Sequence, residues 1–456
     1  MENPKDKRQG IKNGAVHVET GPIGRTLFSF ALPVIISQLL QEFYSIADCA
    51  VIGRFAKGHA LAAVGISGLI LSVLINFFIG FSSGISIITS RLFGAYDYEK
   101  LKDAISRVIR LVLVIGVLFT AVMMIAAGPS LYWIHCPESV RGEALIYLRI
   151  CLYGLTAQLI YNVGTSILRS LGDTKTPMLL FLGSGICNLF LDVFFVVVLH
   201  LGIRGAATAT LISQWLLAAV IMLRLYRLDP AYSLKMRGRD ISFSKAAELL
   251  RDGIPAGMQA LFMSISSLLI QLFINGFGPE AMGGMTVYAK IEGFLYFPAF
   301  AYGIALTGFV GQNYGAGKFE RISEATKISA MVMVAGILPL SLVLMAFAPR
   351  LLTIFTSDPG ILSNALEAVR CTFPVYVLYG INQVYLGAVK GLGSTVYPMI
   401  CTLVCYSIFR VLWCAVTIPR FPTMRMVYFS YDISFLLMLL MLVPVYRRML
   451  HRMQKK

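Results

Sequence analysis

The segment NLFLDVFFVVVLH, residues 188–200, sets Asp192 among leucine, phenylalanine and valine. Burying an ionised carboxylate without a partner is expensive, so an acid in such a run is expected to be paired or functional. Asn188 stands four residues earlier, on the same face of a helix. A second acid, Asp48, occurs in EFYSIADCAV with Tyr44 four residues before it, and Thr210 follows in GIRGAATATLISQ. Together these residues offer two carboxylates, an amide oxygen and hydroxyls, all hard oxygen donors. Such a set can hold a proton, or bind sodium through Asp48, Asn188, Asp192 and Thr210. The alternative for Asn188, Tyr44 and Thr210 is a hydrogen bond to a neighbouring helix. Glu42, shortly before Asp48, can join the set. Lys290 and Glu292 in VYAKIEGFLYFP lie two residues apart, on different helix faces, and are further cleft candidates.

The elements that must position these groups follow from composition. Of 456 residues, 57% are hydrophobic and 14% charged, against roughly 25% charged in a soluble chain. Continuous apolar runs near the length needed to cross a bilayer recur throughout, which predicts an all-α polytopic membrane protein rather than a β-barrel. Twelve spans are expected, near 27–52, 61–90, 105–127, 144–168, 177–199, 205–226, 246–274, 283–310, 326–348, 366–389, 397–418 and 425–446. Pro33, Pro298, Pro339 and Pro374 fall inside spans and are candidate kinks. Residues 1–25 are polar and basic without a short apolar core, so the first span is expected to direct insertion itself.

The net charge of +16 is unevenly placed. If both termini are cytoplasmic, the opposite loops hold only Arg54, Lys57, Arg141, Arg204, Arg350, Arg420 and Arg425 of the 39 basic residues. That asymmetry sets orientation in a plasma (inner) membrane and suits contact with anionic lipid; nucleic acid is not an expected partner. Cys401 and Cys405 share a helix face but no histidine or carboxylate cluster accompanies them, so no metal centre of the zinc kind is expected there.

The chain repeats itself. RLFGAYDYEKLKDA at 91–104 matches QNYGAGKFERISEA at 312–325, an offset of 312 − 91 = 221, and LRSLGDTKTPM at 168–178 matches VKGLGSTVYPM at 389–399 with the same offset. Pro33 matches Pro255. Two homologous six-helix bundles are therefore expected: an N-terminal lobe over 1–228, a basic cytoplasmic linker over 229–245, and a C-terminal lobe over 246–456. Six is even, so both lobes enter from one side and are related by a pseudo-twofold axis along the membrane normal. The positions equivalent to Asn188, Asp192, Thr210 and Asp48 are Phe409, Trp413, Tyr431 and Ile270. The polar set thus belongs to the first half alone.

Two catalytic signatures are absent: the sequence contains no GxxxxGK[ST] and no HExxH. An enzyme is not expected, and neither is an organic cofactor.

Twelve spans in two homologous lobes resemble the multidrug and toxic compound extrusion (MATE) family. The likeness rests on Pro33 and Asp48, on GAYDYEK and GAGKFER, on RSLGDTKTP and KGLGSTVYP, and on Asn188 with Asp192 before GIRGAATAT. It implies antiport of small cationic or amphipathic compounds against protons or sodium. In the DinF-like branch, the resemblance implies coupling at Asp48 and Asp192, with Tyr44, Asn188 and Thr210 around them and a bend at Pro33. The acids that the NorM-like branch carries in its seventh and tenth helices have no match here, where the seventh reads GMQALFMSIS.

The expected mechanism is alternating access, in which proton or sodium binding at the aspartates favours the state that releases substrate outward. A monomer is expected. The rivals are a lipid-linked saccharide flippase of the same superfamily, which needs a basic cleft, and a non-transporting scaffold or intramembrane enzyme.

Overall fold

The computed structural model describes residues 17–55, 60–235 and 243–454; the side chains of 44–55, 61 and 243–249 lie outside that description. The first half runs through α1 (Ile23–Phe55), α2 (Ala60–Gly94), α3 (Tyr98–Trp133), α4 (Glu138–Leu152), α5 (Leu155–Ser170), α6 (Lys175–Asp192) and α7 (Gly202–Tyr226). The second runs through α8 (Phe243–Asn275), α9 (Pro279–Gly315), α10 (Phe319–Leu352), α11 (Pro359–Thr372), α12 (Tyr376–Gly391), α13 (Val396–Thr402), α14 (Phe409–Thr417) and α15 (Met424–Gln454). Among the described residues there is no strand. In apolar surroundings every backbone N–H and C=O must be paired within its own segment, and a helix does this.

Helical chain stands at all twelve expected positions. Among the described residues ten segments are long and apolar enough to cross a membrane, and α4 with α5 forms an eleventh, bent by 46°. The tenth expected span is split: α11 and α12 are 14 and 16 residues long, joined by a 3-10 turn over Phe373–Val375. Pro374 causes that turn, since it lacks an N–H for the helical ladder. Pro33, Pro298 and Pro339, by contrast, lie within continuous helices.

The duplication is written in the backbone. The break between α4 and α5 falls at Tyr153 and Gly154, and adding 221 gives Pro374 and Val375, the break between α11 and α12. The corner after α5 places Gly172 at φ 89°, and its counterpart Gly393 stands at φ 83°. A left-handed corner favours glycine because it has no Cβ. In the first half this corner is fixed further by Asp173. Its carboxylate accepts the Thr176 amide at 3.0 Å, the Thr176 hydroxyl at 2.7 Å and the Arg224 guanidinium at 3.2 Å.

Two compact units share the chain, one comprising Met1–Val18 and Ile36–Gly257, the other Glu19–Ile35 and Met258–Lys456. In the first unit α5 is central, packed on α2, α3 and α7; in the second its counterpart α12 packs on α9, α10 and α15. Nearly half of α8, as far as Gly257, belongs to the first unit through two small-xxx-small pairs. A Cβ on Gly80 would meet Ala256 O at 2.3 Å, and one on Gly84 would meet Asp252 O at 2.3 Å. Gly253 and Gly257 in turn accept the rings of Phe81 and Phe77. Small residues let two helix backbones approach where there is no water to drive them together. The start of α1 belongs to the second unit, where Lys318 Nζ donates to Glu19 O at 2.8 Å and Arg321 to Thr20 O at 3.1 Å.

Candidate functional site

Helix α6 inverts the usual pattern. Its buried residues are Pro177, Asn188 and Asp192, while Leu179, Leu182, Ile186, Leu189 and Phe190 are exposed. Apolar side chains outward and polar ones inward is what a lipid-facing helix with a functional inner face requires. Asn188 is 1% exposed and Asp192 0%. Immediately after Asp192 the helix widens into a π-helical segment, Val193–Val198. Such local widening rotates the following side chains and recurs at functional sites.

Inside the first unit lies a cavity of about 220 Å³ lined by Asn188 of α6, Thr210 and Gln214 of α7, Gln158 of α5 and Gln41 of α1. The break between α4 and α5 opens this space. Gly154 leaves room there for Gln214, whose Oε1 would stand 1.9 Å from a Cβ at this position. The carbonyl freed at Tyr153 is taken by Trp215 Nε1 at 3.2 Å. Ser184 Oγ donates to Ser213 O at 3.3 Å and ties α6 to α7 across the cavity wall. Two polar atoms of the lining, Gln214 Oε1 and Ser213 Oγ, are buried with no hydrogen-bond partner. Groups of that kind are what a bound molecule or water would satisfy.

Asn188 and Thr210 thus meet at one cavity, with Asp192 one turn along the same buried face. Thr210 Oγ1 also donates to Ala206 O at 3.1 Å. Glu42 is half-buried and does not line this cavity, although its neighbour Gln41 does. The side chains of Tyr44 and Asp48 lie outside the described residues. Pro33 sits within α1, two residues before the chain passes between units. Glu292 and Lys290 separate as their spacing predicts. Glu292 Oε1 accepts from the Tyr376 hydroxyl at 3.0 Å, whereas Lys290 is exposed.

The residues missed by sequence reasoning are the amides Gln41, Gln158 and Gln214. They carry no charge to stand out in an apolar run. Their common signal is that each lies on a span of the first half, Gln158 four residues past the Gly154 break. Among the described residues no cluster of His, Cys, Asp and Glu could hold a metal ion.

A model of the MatE family matches residues 33–194 and 255–416, two stretches 255 − 33 = 222 apart, as Pro33 is from Pro255. A relative in Bacillus subtilis (strain 168), named probable multidrug resistance protein YoeA, is 26% identical over 84% of this chain and 84% of its own. The multidrug export protein MepA of Staphylococcus saprophyticus is 22% identical over 83% of this chain and 84% of its own. The solved outward-facing conformation of a multidrug resistance MATE family transporter of the MOP superfamily has the same fold. Its TM-score is 0.88 at 23% identity, over 98% of this chain and 100% of that one.

Proposed function

The chain belongs to the MatE family of multi-span membrane transporters, and we propose that it exports small amphipathic or cationic compounds by alternating access, driven by an ion gradient coupled in its first half. It is a transporter and not an enzyme. The names of its relatives, multidrug resistance and multidrug export proteins, support this class of cargo. On this reading the chain sits in the plasma membrane with both termini cytoplasmic, as its basic loops suggest.

The buried polar face of α6 carries the proposal. Asp192 is fully buried beside Asn188, and taking the charge of a carboxylate out of water carries a desolvation penalty. A proton or a sodium ion removes that penalty when it binds. Asp48 is assigned as the second acid, with Tyr44, Asn188 and Thr210 completing the oxygen set, and Pro33 as the hinge of α1. The amide-lined cavity next to this set is the proposed substrate subsite. A site that is loaded from one side and emptied on the other needs a difference in affinity of only a few kcal/mol between states. The membrane potential supplies about 2.3 kcal/mol per charge per 100 mV.

The test is ethidium efflux from proteoliposomes under separately imposed proton and sodium gradients. Wild type should export under one of them, which identifies the ion, and Asp192→Asn should lose at least about tenfold of the rate. Unchanged gradient-driven efflux in Asp192→Asn would remove the coupling role of this face.

A further inference from the structure

A charged cluster in the second unit plays no part in the site above. Arg410 of α14 is 8% exposed. Its Nε donates to Ser434 Oγ at 2.7 Å, and its guanidinium carbon lies 4.1 Å from the ring centre of Tyr431 and 4.5 Å from that of Tyr406. No carboxylate pairs with it among the described residues. Two acids nevertheless join it through the rings: Asp432 of α15 directly follows Tyr431, and Glu292 of α9 is hydrogen-bonded to Tyr376, whose ring stands 5.9 Å from that of Phe435, itself 5.4 Å from the guanidinium carbon. Glu292 accepts from the Tyr376 hydroxyl, and Asp432 Oδ1 is buried with no hydrogen-bond partner. Asn382 of α12, fully buried, donates to the Tyr406 hydroxyl at 3.3 Å and to Phe435 O at 2.8 Å, and its own Oδ1 has no partner.

Charge counting decides what this cluster needs. The guanidinium stays positive at any pH a protein meets. With both carboxylates ionised the cluster carries −1, with both protonated +1, and with one proton it is neutral. A net charge in a poorly solvated interior costs several kcal/mol, so the neutral count wins. A metal cation could supply the same charge but would be repelled by the nearby guanidinium. We propose that Glu292 and Asp432 form a one-proton exchange site in the second half, with Arg410 as its fixed counter-charge. The proton leaves one carboxylic O–H and its electron pair stays on that oxygen; Arg410 then faces two carboxylates until the next proton arrives.

Besides Lys290 of α9, Arg370 of α11 and Lys390 of α12, the other titratable groups near the cluster on the packed helices are phenols and thiols. Tyr288 and Tyr296 lie on α9, Cys371 on α11, Tyr376 and Tyr379 on α12. Cys405 precedes Tyr406 by one residue and Cys414 follows Arg410 on α14. These phenols and thiols all stay neutral below about pH 8. Glu367 of α11 and Arg425 of α15 balance each other at 2.6 Å.

This inference rests on the export reading only in adding a second coupled ion. Its test follows protons on the protein itself, so it is decided whether or not Asp192 couples transport. The infrared C=O band of protonated carboxyl groups is recorded at neutral pH in membranes for wild type, Asp192→Asn, Glu292→Gln, Asp432→Asn and Arg410→Met. A component should survive Asp192→Asn. It should vanish in either single carboxyl variant, since one guanidinium and one carboxylate are already neutral. Arg410→Met should roughly double it, because two acids then need two protons. A band indifferent to Glu292→Gln and Asp432→Asn overturns the proposal. So does one that Asp192→Asn abolishes. The carboxyl variants are near-isosteric and decide the matter even if Arg410→Met does not fold.

Discussion

Tyr96 and Gly317 occupy equivalent left-handed corners in the two halves, at φ 59° and φ 71°. One corner is free of strain because glycine fills it. The other holds a tyrosine, whose ring stacks on His17 with centroids 4.9 Å apart and planes at 12°. A left-handed non-glycine residue costs about 1–2 kcal/mol, and an aromatic pair returns about 0.5–1.5 kcal/mol. A Cβ on Gly317 would meet nothing within 4 Å. Gly317→Ala should therefore lower stability by about 1 kcal/mol through backbone conformation alone. Thermal unfolding in detergent checks this, and an unchanged midpoint would mean the corner relaxes.

The crossing of α2 with the start of α8 makes a graded prediction. Gly84→Ala pushes a methyl against a carbonyl oxygen at 2.3 Å, whereas Gly253→Ala meets the ring of Phe81 at 2.7 Å. A ring can turn aside and a helix backbone cannot. Gly84→Ala should cost about 1–3 kcal/mol and Gly253→Ala clearly less. Equal unfolding midpoints for the two variants would contradict the close crossing.

Gln214 separates binding from folding. Its buried Oε1 has no partner in the structure, so Gln214→Leu removes an unsatisfied group and should leave stability unchanged or raised. Affinity for an exported compound should fall about tenfold, near 1.4 kcal/mol, as the cavity loses an acceptor. Equilibrium binding of ethidium, set beside the unfolding midpoint, reads both effects.

Alkaline pH should loosen the segment after α7. Burial, with the negative charge of Asp229 adding to it and Arg224 opposing, pushes the Tyr232 phenol from 10.0 up to about 12. Tyr232 packs against Phe93 and Tyr98 at 5.9 Å and 5.6 Å. The unfolded chain loses this proton first, so the contribution is complete below about pH 10 and fades as pH rises toward 12. Up to about 2 kcal/mol is at stake. The unfolding midpoint of Tyr232→Phe should be flatter across that window than that of wild type.

Much of the architecture was legible because lipid permits few solutions. Long apolar runs must be helices, and GAYDYEK and GAGKFER repeat closely enough to disclose the duplication. The break at Pro374 was legible from its chemistry. Its counterpart at Tyr153–Gly154 was not, since no proline marks it and only the repeat points there. Asp192 stood out by its charge and lies buried beside the cavity, but the glutamines that line that cavity are neutral and invisible to such a search. For Arg410 the sequence alone leaves a buried partner and a side chain reaching for an interface both open, and the aromatic faces of Tyr406 and Tyr431 hold it inside.

The chain passes between its two compact units inside helices, at Ile35–Ile36 and at Gly257–Met258, two residues beyond Pro33 and Pro255, as well as at Val18–Glu19. The stretch 229–245 begins and ends in one and the same unit. Each unit thus holds the first turns of the leading helix of the other half, an exchange of the domain-swapped kind within one chain. Splitting the gene within that stretch would yield two polypeptides, each carrying a piece that belongs to the other, and neither could drift alone without leaving its sibling incomplete.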